Sequence, residues 1–480
     1  MRILVCVKQT VSGELNPFDA SAYEAALQIP NAEVILLSMG PEKTYEFLSD
    51  LTRLGAVKAY HLCDKAFAGA DTLATAYTLS LAVKKLEPTL VICGRQTIDG
   101  DTGQTGPSLA MVAGLSLITN VMKIQNTEGL LCCITRNRGE QCVNYPALIT
   151  VERIHDLRLP SIRSKRGEVI RWNAQELEAD VERCGLKGSP TKVLSSFSNE
   201  EGKRKCTFVD SAMLDNLIEE SLQKERERTR QKLPINTDAE VKLTNVWIVG
   251  EACKPMAQWV SDDIRVIDRQ LAEDMGSDFV EWLVTQIEQA KPTAVLWGSD
   301  SWSKQMAPQV AAILQTGLCA DCTALETDGE QLYMYRPAFS GNVIAKITCV
   351  TKPQMATLRT QSEDMSDIIC ALGKGAKDAQ TIVEAYVNRK NALGRFRWEI
   401  AASRAAVDSD MFPYEKQVGL TGKNVSPSVY LAVGISGAVH HIEGMKQSGT
   451  VIAINPDRKA SIFEYADYGI LAKAEDVFKQ

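Results

Sequence analysis

Hydrophobic positions in the first 150 residues fall into short runs rich in β-branched residues, separated by longer stretches with helical spacing. The runs at 3–7, 34–38 and 90–93 are predicted strands, and the stretches at about 20–28 and 42–54 are predicted helices. Short apolar runs that alternate with helices are typical of a parallel sheet covered by helices on both faces. Ligands of such sheets bind beyond the carboxyl ends of the strands, where glycine-rich turns lie.

The alternation of strands and helices recurs twice further along the chain. A second series contains predicted strands at 246–249 and 294–297, and a third contains predicted strands at 368–372, 429–433 and 450–454. The repetition is one of architecture, because the segments share little residue identity. The sequence therefore predicts an α/β protein with two Rossmann-like parallel-sheet domains, followed by a third α/β domain at the C-terminus.

The chain changes character between about residues 187 and 245, where serine and threonine are frequent and a charged helical pattern covers 221–232. We interpret this segment as a solvated helix and a linker. The alternative is an arm that wraps onto the next domain. The predicted parts are a first domain with a C-terminal arm, a linker, a second domain and a third domain, at 1–235, 236–245, 246–360 and 361–480.

Length and composition narrow the class of protein. A chain of 480 residues exceeds what one hydrophobic core usually organises, so two or three domains are expected. A formal net charge of −7 offers no basic surface to nucleic acid or to an anionic membrane. The N-terminus lacks a signal-peptide pattern and no apolar run reaches about 18 residues, so we expect a cytoplasmic protein without membrane insertion.

Thirteen cysteines in a long chain without a secretion signal are expected to be reduced thiols. Cys319 and Cys322 form the only C-x-x-C pair, and a zinc site would need two further ligands at a matching spacing. Because no such ligands are visible, we predict buried structural thiols at this pair and no metal site.

The segment GRQTIDGDTGQTGP at 94–107 directly follows a predicted strand and precedes an apolar helix. Backbone amides at the turn and the N-terminus of the helix suit a phosphate or pyrophosphate. Asp99 and Asp101 are placed to accept hydrogen bonds from ribose hydroxyls. The alternative is an ordinary loop before a capped helix. Asp71 is likewise a natural N-cap, and residues 71–75 are a candidate edge of the same nucleotide site.

A second glycine-rich junction, ALGKGAKDAQ at 371–380, joins a predicted strand to a helix. Gly373 and Gly375 allow close approach of the backbone, and Lys374 can pair with a phosphate. A lone G-x-G is weak as a motif, and the preceding strand is what favours a binding site here.

Polar groups are concentrated near the strand ends of the C-terminal series, in ASRAAVD, QVGLTGK, VGISGAVHHIEGM and AINPD. A flavin that carries electrons needs positive charge near N1 and O2 of its ring, where the anionic reduced form is stabilised. Arg404 and one histidine of the pair His440 and His441 are of the right type, and Thr421 can donate to N5. The alternative for the two histidines is packing in the core.

These C-terminal segments resemble the alpha subunit of electron-transfer flavoproteins, and the ISGAVHH and INPD blocks are specific to that family. RPAFSGN at 336–342 and PQMATLR at 353–359 belong to the same resemblance. Residues 1 to about 235 resemble the beta subunit in VCVKQ, FAGADTLATAYTL and GRQTIDGDTGQTG. The resemblance covers nearly the whole chain, in the order beta then alpha. It implies a fused electron-transfer flavoprotein with FAD bound in the C-terminal α/β domain. It also implies that the two preceding parallel-sheet domains are of the Rossmann-like, adenine-nucleotide α-hydrolase-like type.

Carried over residue by residue, the resemblance implies a role for each FAD contact. Arg404 lies over the flavin, Thr421 and Gly422 approach N5, and His441 approaches O2. The pyrophosphate and adenosine contacts are Ser436, Gly437, Lys374 and Asn455. The full set of implied FAD contacts is Gly373, Lys374, Gly375, Ser403, Arg404, Gln417, Val418, Gly419, Thr421, Gly422, Gly434, Ser436, Gly437, Ala438, His440, His441, Asn455 and Asp467.

The resemblance also implies a second adenine nucleotide in the beta-like part, either AMP or a second FAD. Members that hold AMP serve mostly as single-flavin carriers, whereas members with a second FAD split the electrons of NADH between two acceptors. GRQTIDGDT with Pro107 resembles the second group and Thr105 resembles the first, and we favour a second FAD. The implied contacts are Val7, Lys8, Ser38, Asp71, Thr72, Thr75, Gly94, Asp99, Asp101, Thr102, Gly103, Gln104, Thr105 and Gly106.

Four positions depart from the family pattern. Leu420 and His440 stand where glutamine is usual, which changes the polarity close to the flavin ring. Lys374 stands where the family usually has the arginine of a G-R-G sequence. Lysine keeps the positive charge but lacks the planar guanidinium group that can donate two parallel hydrogen bonds. Lys473 stands at a usually acidic position near the adenosine. The flavin potential and the recognition of adenosine therefore do not carry over from relatives.

The resemblance implies an electron carrier rather than a substrate-converting enzyme, because neither a nucleophile nor an acid–base pair is required. The expected electron donor is a flavin dehydrogenase of the acyl-CoA class, as in fatty acid beta-oxidation, or the exchange runs in reverse in an anaerobe. The alternative is a bifurcating flavoprotein that oxidises NADH and reduces ferredoxin or flavodoxin. A nucleotide sensor or an ATP-dependent ligase-like protein on the same folds is disfavoured by the C-terminal motifs.

Two features are predicted to serve the redox partners. Loop 155–166, HDLRLPSIRSKR, stands where relatives present a partner-recognition loop, with Leu159 as its candidate anchor. Electron exchange with two partners requires the flavin domain to move, so we expect a hinge at 360–366.

Overall fold

The computed structural model describes most of the chain. The described residues are 1–126, 129–136, 138–198, 204–228, 241–276, 278–338, 343–359, 366–413, 416–419, 423, 425–446 and 448–479. The chain divides into two compact units. Unit 1 comprises residues 1–198 and 235–360, and unit 2 comprises residues 199–234 and 361–480. The grouping differs from the three predicted domains, because the first two share one unit and the predicted arm of the first belongs with the third.

The first part of the chain contains the strands β1 (Arg2–Cys6), β2 (Glu33–Met39), β3 (Lys58–Leu62), β4 (Leu90–Gly94), β5 (Ser116–Asn126), β6 (Leu131–Thr135), β7 (Gly139–Val143), β8 (Ala147–Val151), β9 (Glu168–Trp172) and β10 (Thr191–Ser198). Its helices are α1 (Pro17–Leu27), α2 (Thr44–Thr52), α3 (Thr72–Leu86) and α4 (Thr105–Ala113). The segment after it contains β11 (Thr207–Phe208) and α5 (Leu214–Arg228).

The second part contains the strands β12 (Val246–Val249), β13 (Ile264–Ile267), β14 (Ala294–Gly298), β15 (Leu318–Cys322), β16 (Ala324–Thr327), β17 (Leu332–Ala338), β18 (Val343–Cys349) and β19 (Gln354–Leu358). Its helices are α6 (Lys254–Ala257), α7 (Arg269–Met275), α8 (Asp278–Ala290) and α9 (Ser301–Ile313).

The third part contains the strands β20 (Ile368–Leu372), β21 (Trp398–Ala402), β22 (Val429–Val433), β23 (Thr450–Ile454) and β24 (Tyr468–Ile470). Its helices are α10 (Gln380–Ala392), α11 (Arg404–Val407), α12 (Val439–Met445) and α13 (Ala474–Phe478). The predicted strands of this series coincide with β20, β22 and β23, because each is an uninterrupted apolar run bounded by polar or glycine-rich turns.

Three sheets organise unit 1. The largest has nine strands in the order β7-β6-β5-β8-β4-β1-β2-β3-β9, and its pairs are parallel except β5–β6 and β6–β7. A five-stranded parallel sheet has the order β13-β12-β14-β19-β15. A four-stranded antiparallel sheet, β10-β18-β17-β16, joins one strand of the first part to three of the second. This shared sheet is why the first two predicted domains form one unit.

The nine-stranded sheet of unit 1 is buried on both faces. Leu36 and Ile149 pack on one face with residues of α1 and α2, and Leu37 and Leu148 pack on the other with residues of α3 and α4. Burial on both sides explains why these strands are continuous apolar runs rather than alternating ones. The predicted α/β class with Rossmann-like parallel sheets is confirmed.

A disulfide joins Cys132 and Cys142 in the hairpin of β6 and β7. The two residues face each other directly in the antiparallel register, with their Cα atoms 4.1 Å apart. The expectation that all thirteen cysteines are reduced is therefore wrong for this pair, which spacing along the sequence did not reveal because the hairpin register brings it together. Cys319 and Cys322 are free and buried, as predicted.

Unit 2 is built on a six-stranded parallel sheet in the order β11-β24-β23-β22-β20-β21. Its edge strand β11 comes from the segment predicted as a linker, and α5 packs on the same unit. Four apolar residues of α5 are buried in the core cluster of this sheet: Leu214, Leu217, Ile218 and Leu222. The solvated-linker interpretation is therefore wrong for Leu214–Leu222. The segment is an arm, as in the alternative, but it packs with residues 361–480 and not with the next predicted domain. The reason is the spacing of the four residues, which gives α5 one apolar face.

Arg204 fastens the arm segment to unit 2. Its guanidinium donates to the carboxylate of Asp467 at 2.5 Å and to the backbone carbonyls of Gly449 at 2.9 Å and Ser448 at 2.7 Å. An arginine offers five donors in a fixed planar fork, so one side chain can satisfy several acceptors at once. The predicted hinge at 360–366 falls almost entirely outside the described residues and stays a prediction.

The described helices are short. The longest, α3 and α5, have 15 residues each. No helix in the described part of the chain has the length and apolar character that crossing a bilayer requires.

Candidate functional site

The first candidate site lies in unit 1, where β1 and β4 run side by side. The chain leaves β1 toward β2 on one side, whereas β4 is followed by strands on the other side, so the loops after β1 and β4 diverge. Such a switch in strand order leaves a crevice at the carboxyl ends, where α/β proteins bind ligands. Val7 and Lys8 follow β1, and Gly94 ends β4. The structure thus brings two of the predicted segments to one crevice.

Two side chains that the sequence analysis missed hold this crevice together. Asn16 is fully buried, and its amide donates to the carbonyl of Gln96 at 2.9 Å while its Oδ1 accepts from the amide of Ile98 at 3.3 Å. Asp19 accepts from the backbone amide of Lys8 at 2.8 Å. Both residues stand at the start of α1, where the sequence NPFD carried a helix-start signal but no hint of these distant partners.

Lys8 and Asp99 form an ion pair, with 2.8 Å between Nζ and Oδ1. Burial pushes the pKa of Asp99 upward, but the hydrogen bond and charge of Lys8 outweigh burial, and the net pKa lies below its usual value. The same Oδ1 accepts from the amide of Gly100 at 2.8 Å. Asp99 is therefore ionised at neutral pH, and its Oδ1 stabilises the loop by accepting a hydrogen bond from within it.

The second aspartate of the loop differs from the first. Asp101 has a left-handed backbone with φ of 50°, and its Oδ1 accepts from the side-chain amide of Gln96 at 2.5 Å. Burial, followed by the negative charge of Asp321, raises the pKa of Asp101. Arg336 donates from Nη2 to the carbonyl of Gly100 at 2.9 Å. A buried arginine from β17, within the RPAFSGN segment, thus contacts the glycine-rich loop.

Two buried polar atoms near this crevice lack partners. Nε2 of Gln104, at the cap of α4, and Oγ of Ser38, in β2, make no hydrogen bond within the described residues, although each side chain is only 2% exposed. An unpaired buried donor is costly, so such atoms mark places where a ligand or water completes the bonding. Both residues belong to the predicted nucleotide set, and a polar ligand fits this observation.

Residues 71–75 comprise the N-cap and the first turn of α3. Asp71 caps α3 by accepting from the amide of Ala74 at 3.0 Å, and its other oxygen accepts from the amide and hydroxyl of Thr191. Both carboxylate oxygens of Asp71 therefore bond within the protein, as expected for the N-cap role that the sequence analysis gave it. Asp71 and Thr72 line a small pocket together with Gln104 and Thr191. Thr75 lies in the first turn of α3 and is half-buried.

Close backbone packing explains two of the predicted glycines without a ligand. A Cβ on Gly94 would lie 2.3 Å from Oδ1 of Asp19, and a Cβ on Gly106 would lie 2.5 Å from Cγ2 of Thr150. Gly103 has φ of 64°, a conformation that favours glycine. Thr102 accepts from the amide of Gln104, and Thr105 begins α4, so both belong to the same turn.

The second candidate site lies in unit 2, where β20 runs between β21 and β22. The chain passes from β20 to β21 on one side and returns to β22 on the other, which is again a switch in strand order. Two glycine-rich turns meet here: a Cβ on Gly373 would lie 2.1 Å from the carbonyl oxygen of Gly434, and one on Gly375 would lie 2.9 Å from the same atom. Glycine is therefore required at these positions because any side chain would prevent the two turns from packing against each other.

The rim of this second crevice is exposed. Gly434 and Gly437 have positive φ values of 64° and 94°, and a Cβ on Gly437 would lie 2.1 Å from the amide nitrogen of Ile462. The exposed predicted contacts on the two turns are Lys374, Gly375, Ser436 and Ala438. An anionic ligand placed there would meet open backbone and the charge of Lys374.

His441 is the side chain of the second site that most clearly indicates a bound ligand. It is 5% exposed, and its Nε2 lies 2.9 Å from the hydroxyl of Tyr430. Nδ1 has no hydrogen-bond partner among the described residues. Burial lowers the pKa of His441 to about 4, an effect that the carbonyl of Val418 only partly opposes. The imidazole is therefore neutral at pH 7, with one nitrogen held by the protein and the other left for a ligand.

The remaining predicted contacts near β21 take defined positions. Ser403 caps α11 by accepting from the amide of Ala406, and the side chain of Arg404 is 45% exposed and pairs with Asp408 at 3.3 Å. Gln417 and Val418 are buried beside the end of β21. Gly419 approaches another backbone closely, since a Cβ on Gly444 would lie 2.3 Å from its nitrogen. Thr421 and Gly422, and the side chain of His440, lie outside the described residues.

Two further predicted FAD contacts are engaged within the protein. Asn455 donates from Nδ2 to the carbonyl of Ile435 at 2.9 Å and accepts from the amide of Asp457. Asp467 accepts from Arg204 and from the amide of Val451 at 2.8 Å. Asp467 therefore anchors the arm of unit 2. Lys473 is exposed at the cap of α13.

The predicted partner loop has a firm base and an exposed tip. Arg158 donates to both carboxylate oxygens of Glu24, with the shortest distance 2.7 Å from Nη2 to Oε1. The hydrogen bonds from Arg158 hold the pKa of Glu24 below its usual value. Leu159 is 89% exposed and Ile162 is fully exposed. Two apolar side chains thus project from an anchored loop.

The two crevices define a doubly wound α/β protein, the class whose strand-end clefts hold nucleotides. Comparison with known families identifies it further. The profile described as Electron transfer flavoprotein domain matches residues 3–177 and 248–387, and the profile described as Electron transfer flavoprotein FAD-binding domain matches residues 364–446. The chain belongs to the electron transfer flavoprotein family.

Known relatives match both subunit types of this family. The chain is 37% identical over 237 residues to the electron transfer flavoprotein subunit beta of Megasphaera elsdenii, covering 41% of this chain and 87% of that protein. It is 33% identical over 272 residues to the subunit alpha of Thermoanaerobacterium thermosaccharolyticum, covering 48% of this chain and 82% of that protein. A third relative, at 37% identity over 230 residues, is the caffeyl-CoA reductase-Etf complex subunit CarD of Acetobacterium woodii, covering 41% and 88%.

These matches confirm the predicted fusion of beta-like and alpha-like parts. They also confirm, at the level of the family, an electron-transfer role and an FAD-binding domain in the C-terminal part of the chain. Sequence reasoning missed Asn16 and Asp19 in the first crevice and Tyr430 beside His441 in the second. It also missed Arg204, the partner of Asp467. Tyr430 carried a weak signal, since it is a polar group within an apolar strand.

Proposed function

We propose that this chain accepts electrons from a flavin dehydrogenase of the acyl-CoA class and passes them to a second redox partner through one FAD held in unit 2. The observation that carries the proposal is His441, a buried neutral histidine inside the segment matched by the FAD-binding profile, whose Nδ1 has no hydrogen-bond partner in the described part of the chain. Bound FAD supplies a redox centre that accepts and releases electrons reversibly. We place the protein in the cytoplasm.

The chain's own residues supply binding and electrostatics. The exposed turns with Lys374, Ser436 and Gly437 would hold the pyrophosphate, and His441 would donate to a carbonyl oxygen of the flavin. Arg404, on the exposed end of α11, would contribute positive charge near the ring. Thr421 and Gly422 remain proposed contacts at N5.

The class of the redox partner is argued from a relative. The printed name of the Acetobacterium woodii protein assigns it to a complex with caffeyl-CoA reductase, and that name indicates a CoA thioester. A reductase takes up electrons, so the name supports the class of the partner and not the direction of electron transfer. An anchored loop with Leu159 and Ile162 exposed offers an apolar contact to such a partner. A dehydrogenase that works on CoA thioesters is therefore the first partner to test.

A second nucleotide in unit 1, either AMP or another FAD, is proposed from the unpaired Gln104 and Ser38. Buried Arg336 contacts the glycine-rich loop, so positive charge lies close to the phosphate of either nucleotide. A second FAD is favoured by the GRQTIDGDT sequence with Pro107. With two FAD the chain would be a bifurcating flavoprotein that oxidises NADH and reduces ferredoxin or flavodoxin. With AMP it would be a single-flavin carrier.

The deciding experiment is the identity and amount of nucleotide released from freshly purified protein, measured by chromatography and absorbance. One FAD and one AMP per chain support the single-flavin carrier. Two FAD support bifurcation, and NADH should then bleach the flavin absorbance. Protein that binds no flavin after reconstitution contradicts the proposal.

Movement of the flavin domain is the last part of the proposal. Two engineered cysteines that crosslink the flanks of the hinge at 360–366 should slow electron transfer between partners without releasing FAD. Reduction of the crosslink should restore the rate. Equal rates in the crosslinked and reduced protein would argue against a hinge there.

A further inference from the structure

Tyr430 carries a polar hydroxyl group into a buried hydrophobic cluster. It is fully buried in β22, on the face of the sheet that also carries Ala432 and Val451. Burial raises the pKa of its hydroxyl well above the ordinary value, so the hydroxyl keeps its proton. A buried hydroxyl needs a partner, and within the described residues Nε2 of His441 at 2.9 Å is the partner found.

The state of His441 limits how these two groups can bond. A neutral imidazole carries one proton, so one of its nitrogens donates and the other accepts. When the Tyr430 hydroxyl donates to Nε2, the imidazole proton must be on Nδ1. In the opposite arrangement Nε2 donates to the Tyr430 oxygen, and the hydroxyl proton is left without an acceptor in a buried position.

A second observation favours the proton on Nδ1. The backbone carbonyl of Val418 raises the pKa of His441, as a nearby hydrogen-bond acceptor does. It completes no hydrogen bond to Nδ1, which has no partner among the described residues. An N–H group on Nδ1 is therefore compatible with its surroundings and remains able to bond a ligand.

We propose that Tyr430 is a positioning residue for the flavin site: its hydroxyl donates to Nε2 of His441 and keeps the imidazole proton on Nδ1, which donates to a carbonyl oxygen of the flavin. The inference rests on the proposed function, which brings FAD to His441. A donor at that oxygen stabilises the negative charge of the reduced ring, whereas a nitrogen lone pair would oppose it. Tyr430 thus influences the flavin potential without touching the flavin.

The test combines Tyr430→Phe with a nitrogen-specific measurement on the FAD-loaded protein. Labelling with 15N-histidine and long-range 1H–15N correlation distinguishes a protonated from an unprotonated ring nitrogen, and His441→Asn assigns the signal among the four histidines. Tyr386→Phe is the matched control, because it removes another buried hydroxyl of unit 2, one that bonds Asp215 rather than a histidine. The dissociation constants of oxidised and reduced FAD are measured for each protein.

We expect wild-type His441 to be protonated on Nδ1 alone, and Tyr430→Phe to move that proton at least in part to Nε2. The ratio of the dissociation constants of reduced to oxidised FAD should rise about three- to tenfold in Tyr430→Phe and stay constant in Tyr386→Phe. A wild-type proton on Nε2, or an unchanged proton position and ratio in Tyr430→Phe, overturns the inference while FAD binding stands. Wild-type protein that takes up no FAD overturns the proposed function instead. If Tyr430→Phe fails to fold, the proton position in the wild-type spectrum tests the inference alone: a proton on Nδ1 supports it and a proton on Nε2 overturns it.

Discussion

Arg204 and Asp467 stand 263 residues apart in sequence and form an ion pair of 2.5 Å between Nη1 and Oδ2. The side chains are only 16% and 32% exposed. The same arginine donates to backbone carbonyls beyond α12, and the same aspartate accepts from the amide of Val451 in β23. One pair therefore ties the arm that follows the beta-like part to the sheet of the flavin domain.

Replacing Arg204 with alanine should destabilise unit 2. The change leaves the Asp467 carboxylate and several carbonyls without their donor, and we expect a loss of about 2–3 kcal/mol in the free energy of unfolding. Calorimetry of the thermal transition measures it. Arg395→Ala is the control, because its ion pair with Glu219 is long and exposed and should contribute about 0–0.5 kcal/mol. Equal effects of the two substitutions would contradict a role for Arg204 as an anchor.

Gln104→Met should separate stability from nucleotide binding. Methionine has a similar shape and removes a buried donor that has no partner in the described structure, so the nucleotide-free protein should be as stable as the wild type or more so. Nucleotide affinity in unit 1 should fall about tenfold, because the same donor is proposed to bond the ligand. Titration of AMP and FAD into stripped protein measures this. Unchanged affinity would remove Gln104 from the proposed site.

Asp19 should make the stability of unit 1 depend on pH. Burial raises its pKa from 3.8 to about 7, so the folded protein retains a proton that the unfolded chain releases between these values. Its contribution to stability is therefore complete below about pH 4 and is lost as the pH rises toward 7. Asp19→Asn lacks this loss, so its stability relative to the wild type should increase by about 1–4 kcal/mol between pH 4 and 8. Denaturant unfolding across this range measures the difference, and a constant difference would contradict the prediction.

Leu159→Ala should impair partner recognition without affecting the fold. The side chain is 89% exposed, so the free energy of unfolding should change by less than about 0.5 kcal/mol. Loss of an apolar anchor should raise the KM for the protein in assays with an acyl-CoA dehydrogenase about tenfold. Leu393→Ala, at a leucine 65% exposed after α10, is the control and should leave KM unchanged. An unchanged KM in Leu159→Ala would exclude Leu159 as the anchor.

Much of the fold could be read from local patterns. The predicted strand at 90–93 and the glycine that follows it correspond to β4, which ends at Gly94, and the predicted strands at 368–372 and 429–433 coincide with β20 and β22. Buried parallel strands consist of continuous apolar runs, and tight turns need glycine, so both can be recognised from a few consecutive residues. The same signals located the turns that meet in each crevice.

The partners of individual side chains could not be read in this way. The sequence showed a charged helix at 221–232 but not that Leu214 and Leu217 pack under the sheet of unit 2. It showed thirteen cysteines but not that Cys132 and Cys142 face each other across a hairpin. It placed Asp467 among the FAD contacts, whereas the structure pairs it with Arg204.

The sequence by itself determined the α/β class, the position of the glycine-rich turns and the family, because each depends on residues close together in the chain. Only the tertiary structure decided which residue pairs with which: Arg204 with Asp467, Lys8 with Asp99, and Tyr430 with His441. The physical reason is that strand order and register bring distant residues together, and a hydrogen bond or ion pair exists only at the distances that this order creates.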